Sequence, residues 1–168
     1  GFKVARLGRR HAAEQVISQV NPRGDTMYWI GSAGNDHRFV TRVDAGAILM
    51  EGLSQLPPSL RFFAGGDNSI RGYGYETVSP RNTDNELTGG RYMATAALEY
   101  QYRVKADWWL AAFSDYGSAW DDKPDWVQGV GFGVRWASPV GPVRLDLAWG
   151  LDGPDKGFQL HFALGPEL

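Results

Sequence analysis

From Arg91 to Val104 the chain alternates strictly. Tyr92, Ala94, Ala96, Leu98, Tyr100, Tyr102 and Val104 fall on one side, and Arg91, Met93, Thr95, Ala97, Glu99, Gln101 and Arg103 on the other. A repeat of two is the signature of a β-strand with one greasy face. Four later segments keep the same beat. Trp108, Leu110, Ala112, Ser114 and Tyr116 oppose Trp109, Ala111, Phe113, Asp115 and Gly117. Trp126, Val130, Phe132, Val134 and Trp136 oppose Gly129, Gly131, Gly133 and Arg135. Val143, Leu145, Leu147 and Trp149 oppose Arg144, Asp146 and Ala148, and Phe158, Leu160, Phe162 and Leu164 oppose Gln159, His161 and Ala163. Upstream, Phe39, Thr41, Val43, Ala45, Ala47 and Leu49 oppose Arg38, Arg42, Asp44 and Gly46. The pattern predicts strands near 12–20, 25–33, 37–50, 91–104, 107–119, 126–137, 142–150 and 157–165, within one domain over 1–168. Residues 1–8 are ambiguous, and no helix is predicted.

The connections differ in kind. Ser138-Pro139-Val140-Gly141-Pro142 reads as a tight turn, because proline fixes φ and glycine tolerates positive values. Residues 51–90 form one long excursion, far beyond a hairpin loop and of a length usually kept for function.

Alternation does not say which face is buried, since a water-soluble sandwich or calycin-like barrel alternates too. The polar faces carry Glu99, Asp115, Arg135, Arg144, Asp146 and His161, several charges that a packed interior would reject. The apolar faces are bounded by aromatics: Tyr92 and Tyr102, Trp108 and Tyr116, Trp126 and Trp136, and Trp149. Such pairs match the interfacial girdles of membrane barrels. Strands of roughly 9–13 residues suit a tilted crossing of a bilayer core. The expected fold is therefore all-β, an antiparallel transmembrane β-barrel with the lipid bilayer as its outer solvent.

Composition narrows this further. The chain has no cysteine, which removes disulfides and thiolate metal sites. A net charge of −2 gives no reason to expect nucleic acid. No run approaches the ~20 apolar residues of a membrane helix. The GVGFG stretch lies inside a strand and is not a dinucleotide fingerprint, GGDNSIRG lacks the lysine of a phosphate loop, and no GxSxG elbow occurs. His11, His37 and His161 lack metal-ligand spacing, and Asp84-Asn85-Glu86 reads as a solvated turn. Neither an enzyme, a cofactor nor a metal is expected.

The long excursion contains GGDNSIRGYGYETVSP, with a single cation, Arg71, among glycines. Ile70, Arg71, Gly72 and Tyr73 resemble the [VI]RG[FY] motif of the BamA/TamA/FhaC superfamily of outer-membrane insertases and transporters. Phe113, Asp115 and Gly117 in FSDYG match that superfamily's FxDxG strand motif. LRFFAGGDNSIRGY, LEYQY, GFGVRWASPVGP and the terminal LGPEL most resemble the TamA branch, and together these matches span most of residues 37–168. Gly157, Leu160 and Phe162 resemble the C-terminal signal of outer-membrane barrels. The resemblance implies a loop folded back into the lumen, with Asp115 as the partner of Arg71. Glu99, on the same face by alternation, is a second partner candidate. Gly129, Gly131 and Gly133 are expected to form a bare inner wall on which Tyr73 could pack.

The resemblance also implies a location in the outer membrane of a Gram-negative bacterium. It implies a role in inserting or secreting β-rich proteins such as autotransporters, with TamB and nascent outer-membrane proteins as partners. A BamA-type insertase, a two-partner-secretion transporter and a passive porin are the competing readings. The resemblance implies a barrel of about sixteen strands, of which this sequence is expected to be the C-terminal half, with the POTRA domains and the first half outside it. Open sheet edges are not tolerated in lipid. The chain alone is thus expected to close as a small barrel, expelling the loop, or to self-associate edge to edge.

Overall fold

The computed structural model describes residues 3–7, 22–33, 35–48, 56–153 and 156–165. Its strands are β1 (Lys3–Leu7), β2 (Pro22–Ala33), β3 (His37–Ile48), β4 (Tyr92–Lys105), β5 (Trp108–Trp120), β6 (Val127–Ser138), β7 (Gly141–Gly150) and β8 (Phe158–Leu164). They form one eight-stranded antiparallel sheet in chain order. The strand expected at 12–20 lies outside the described residues. Among the described residues β8 pairs with β7 alone and β1 with β2 alone, so the sheet is open. The small closed barrel is therefore not formed, and the loop is not expelled.

Neighbours in sequence are neighbours in space because short turns join them. Residues 106–107 connect β4 to β5, and residues 139–140 connect β6 to β7, at one end of the sheet. Longer connections, 121–126 and 151–157, lie at the other end, together with the long excursion between β3 and β4. Among its described residues that excursion contains one 3-10 turn, Pro58–Leu60. Three isolated bridges tie it to itself: Phe62 to Gly90, Ala64 to Val78 and Arg81 to Leu87.

Burial is inverted relative to a water-soluble domain. Asp44, Thr95, Glu99, Gln101, Asp115, Ser118, Asp146 and His161 are buried. Leu98, Leu110, Phe132, Leu145 and Leu160 are between 41% and 60% exposed. The outer face of β3 to β8 thus presents a greasy surface, which only lipid would solvate favourably. Aromatic pairs stack along it: Trp108 on Trp136 at 5.3 Å and Tyr116 on Trp126 at 5.1 Å. The apolar cluster of Ala64, Ile70, Tyr73, Val78, Ala119 and Val127 lies on the other side, where the excursion meets the wall.

Candidate functional site

The registers place the inward side chains in rows across the sheet. One row runs Ala97, Asp115, Gly129, Gly150; the next runs Glu99, Phe113, Gly131, Ala148; a third runs Gln101, Ala111, Gly133, Asp146, His161. Each of the three β6 glycines therefore stands opposite a larger group: Gly129 beside Asp115, Gly131 beside Phe113, Gly133 beside Asp146. A Cβ on Gly129 would overlap the Arg71 carbonyl oxygen. One on Gly131 would come within 2.5 Å of the Phe113 ring, and one on Gly133 would overlap the Asp146 carboxylate. The glycines leave room for the loop backbone at one rung and for wall side chains at the other two.

Into this space the loop inserts Ile70, Arg71 and Tyr73, each at most 3% exposed. Arg71 binds Asp115 through both ends of its fork, Nε to Oδ2 at 2.7 Å and Nη2 to Oδ1 at 2.8 Å. Its backbone N–H also donates to Oδ2, at 3.0 Å. Nη1 donates to Glu99 Oε2 at 2.6 Å and to Asp146 Oδ2 at 3.2 Å. The guanidinium lies over the Phe113 ring, 3.5 Å from its centroid, a cation–π contact on the dry side. Burial by itself weakens the Arg71 charge, but the bonds and charge of Asp115, and then of Glu99, overcome it and hold the pKa above the ordinary arginine value. Arg71 is thus a permanent cation whose planar fork fits a carboxylate in a way lysine cannot.

Gly72 is the hinge of the insertion. Its φ is +96°, and a Cβ there would sit 2.5 Å from the Gly150 nitrogen, so both conformation and space demand glycine. Tyr73 does not pack on the β6 glycines as expected. Phe113 already occupies the space at Gly131, and Tyr73 instead lies against Gly150 on β7. Its hydroxyl donates to the Asp152 carbonyl at 2.8 Å and accepts from the Asp152 N–H at 3.0 Å. Burial pushes the Tyr73 phenol above its ordinary range.

Gly117 packs against Thr95 and the Ala94 carbonyl of β4. On β8, Leu160 and Phe162 face outward and are 60% and 58% exposed, while Gly157 has open space around it.

Four residues complete the site without having been singled out from sequence as partners of the loop. Arg135 on β6 binds Glu99 with Nη2, 2.8 Å from each carboxylate oxygen, and binds Asp146 on β7. His161 on β8 pairs with Asp67 of the loop through Nδ1 and lies 3.5 Å from the Gly72 N–H through Nε2. Arg42 on β3 donates to the Ser69 carbonyl at 2.6 Å. All project from polar positions of their strands, a signal visible in the alternation; which of them meet depends on the rows. Beside the network lies a cavity of about 300 Å³, whose lining includes Arg38, Arg42, Arg135, Arg144, Glu99 and Trp109.

A lipid-facing β-wall whose lumen side grips an inserted loop through a buried arginine defines a class of outer-membrane β-barrel proteins. The chain belongs to the Omp85 superfamily, whose domain model matches residues 19–167. It is 33% identical over 143 residues to the outer membrane protein assembly factor BamA of Nitratidesulfovibrio vulgaris, across 77% of this chain and 18% of that protein. In fold it resembles the crystal structure of BamA from Haemophilus ducreyi lacking POTRA domains 1–3, with a TM-score of 0.67 and 18% identity over 84% of this chain and 34% of that one. The chain thus spans about a fifth to a third of the length of these BamA proteins. A short segment is 79% identical over 34 residues to the 5'-nucleotidase SurE of a Polaromonas species, covering 20% of this chain and 13% of that enzyme. The superfamily places the chain in the outer membrane of Gram-negative bacteria.

Proposed function

We propose that this chain is the C-terminal half of the barrel of a TamA-type translocation and assembly factor, which helps to insert or secrete β-rich outer-membrane proteins such as autotransporters. The observation that carries the reading is the double-ended grip of Arg71 on Asp115, which joins the IRGY loop to the FSDYG strand. The grip holds a plug in the lumen without sealing the sheet edge. Among the described residues β8 has a partner on one side only, so its other edge is available to a further strand. In the intact protein that strand is the first of the barrel or a strand of the client; for the chain alone it is a second copy. The loop sequence LRFFAGGDNSIRGY and the LGPEL ending support the TamA branch, and with it TamB as the periplasmic partner. The BamA relative supports the wider insertase role.

The test uses the full-length protein in cells depleted of the native copy. Arg71→Ala and Asp115→Ala should each lose assembly of an autotransporter reporter, and the exchange Arg71→Asp with Asp115→Arg should restore part of it. Normal assembly by both single variants would overturn the reading. Loss of outer-membrane proteins at large, rather than of autotransporters, would assign the chain to a BamA-type insertase.

A further inference from the structure

The carboxylates of the site are not held alike. Among the described residues Asp115 has one cationic partner, Arg71, which meets both of its oxygens. Glu99 and Asp146 are shared: Arg71 Nη1 reaches each of them, at 2.6 and 3.2 Å. Arg135 independently contacts all four of their oxygens, with Nη2 2.8 Å from both oxygens of Glu99 and 3.2 Å from Asp146 Oδ2, and Nη1 on Asp146 Oδ1. Arg144 adds a third guanidinium, 3.5 Å from Asp146. Arg71 rides on the loop, whereas Arg135 and Arg144 stay on the wall.

Stripping a buried carboxylate of its cation is costly, and stripping three at once would make the loop a permanent plug. The arrangement avoids that. If the loop withdraws, Glu99 and Asp146 remain bound at every oxygen, and Asp115 alone loses its partner. We propose that Arg135 is a positioning residue that serves as a reserve counterion. It takes over the two shared carboxylates when Arg71 leaves and thereby makes withdrawal of the loop reversible. The inference rests on the tether in the proposed function but not on which clients are served.

The sign of one measurement tests it. The chain has no cysteine, so Ile70→Cys adds a single thiol to it, at a side chain with no exposure beside the arginine. In the full-length protein in outer-membrane vesicles, the reaction of that thiol with a water-soluble maleimide reports opening of the loop. Arg135→Gln should slow labelling by roughly tenfold, because the open state then leaves more carboxylates bare and a charge-assisted bond is worth about that factor. Arg135→Lys, which keeps the charge but not the fork, should slow labelling less than Arg135→Gln does. If Arg135 merely braced the wall, its loss would loosen the site and labelling would quicken; quickened or unchanged labelling overturns the proposal. Should Arg135→Gln not fold, Arg135→Gln with Glu99→Gln is compared with Glu99→Gln alone, and the same slowing is required. Client assembly is not read in this experiment, so its failure leaves the proposed function standing.

Discussion

At the scale of single residues, the site depends on missing atoms as much as on present ones. Gly129 leaves open the space that the Arg71 carbonyl fills. Gly129→Ala should therefore lift the loop at a cost of about 1–3 kcal/mol, typical of an overpacked contact. Limited proteolysis of the folded protein, with cleavage mapped to residues 65–80, should show a faster cut than in the parent; an unchanged rate would show that the loop does not lie where the structure has it. Arg71 with its main partner was legible through the superfamily resemblance, which pairs the loop arginine with the Asp of FSDYG; alternation alone left Asp115 and Glu99 both open. Arg135 and Asp146 could not be read as partners of the loop. Alternation assigns a residue to a face, but only the register shows that Asp146 shares a rung with Gly133 and His161. The β6 glycines do not receive Tyr73 for the same reason: the Arg71 carbonyl, Phe113 and Asp146 fill the space at Gly129, Gly131 and Gly133.

At the scale of elements, β3 to β8 were legible because each has one greasy side facing lipid and one polar side facing the lumen. That contrast writes a repeat of two into the sequence. The segment Lys3–Leu7 shows no such beat, and its pairing with β2 was not anticipated. The two sides should also differ in reactivity. Arg38 on the inner face of β3 and Leu98 on the outer face of β4 are both exposed in the bare protein. In membranes, a charged thiol reagent should label Arg38→Cys and spare Leu98→Cys, and both should react after denaturation. Equal labelling in membranes would mean that no bilayer covers the outer face. An arginine at Phe132, 53% exposed on that face, should destabilise the barrel by about 2–4 kcal/mol in a denaturant titration in lipid. A cost near zero would put that position in water.

At the scale of the molecule, the excursion between β3 and β4 acts as the filling of an otherwise polar channel. The full-length protein in planar bilayers should pass little current, and deletion of residues 65–80 should raise its conductance several-fold. A steady large conductance in the parent would describe a porin instead. The inward course of the excursion came from a motif and not from any physical pattern in its composition, since glycine-rich chain is equally at home in water. His161 gives the whole arrangement an order in time. It belongs to β8, the last described strand, yet it holds Asp67 and reaches Gly72 in the middle of the long connection between β3 and β4. A ribosome delivers that histidine well after the segment it must grasp. Until β8 docks on β7, the stopper lacks this one clasp and rests on those of Arg71, Arg42 and Tyr73.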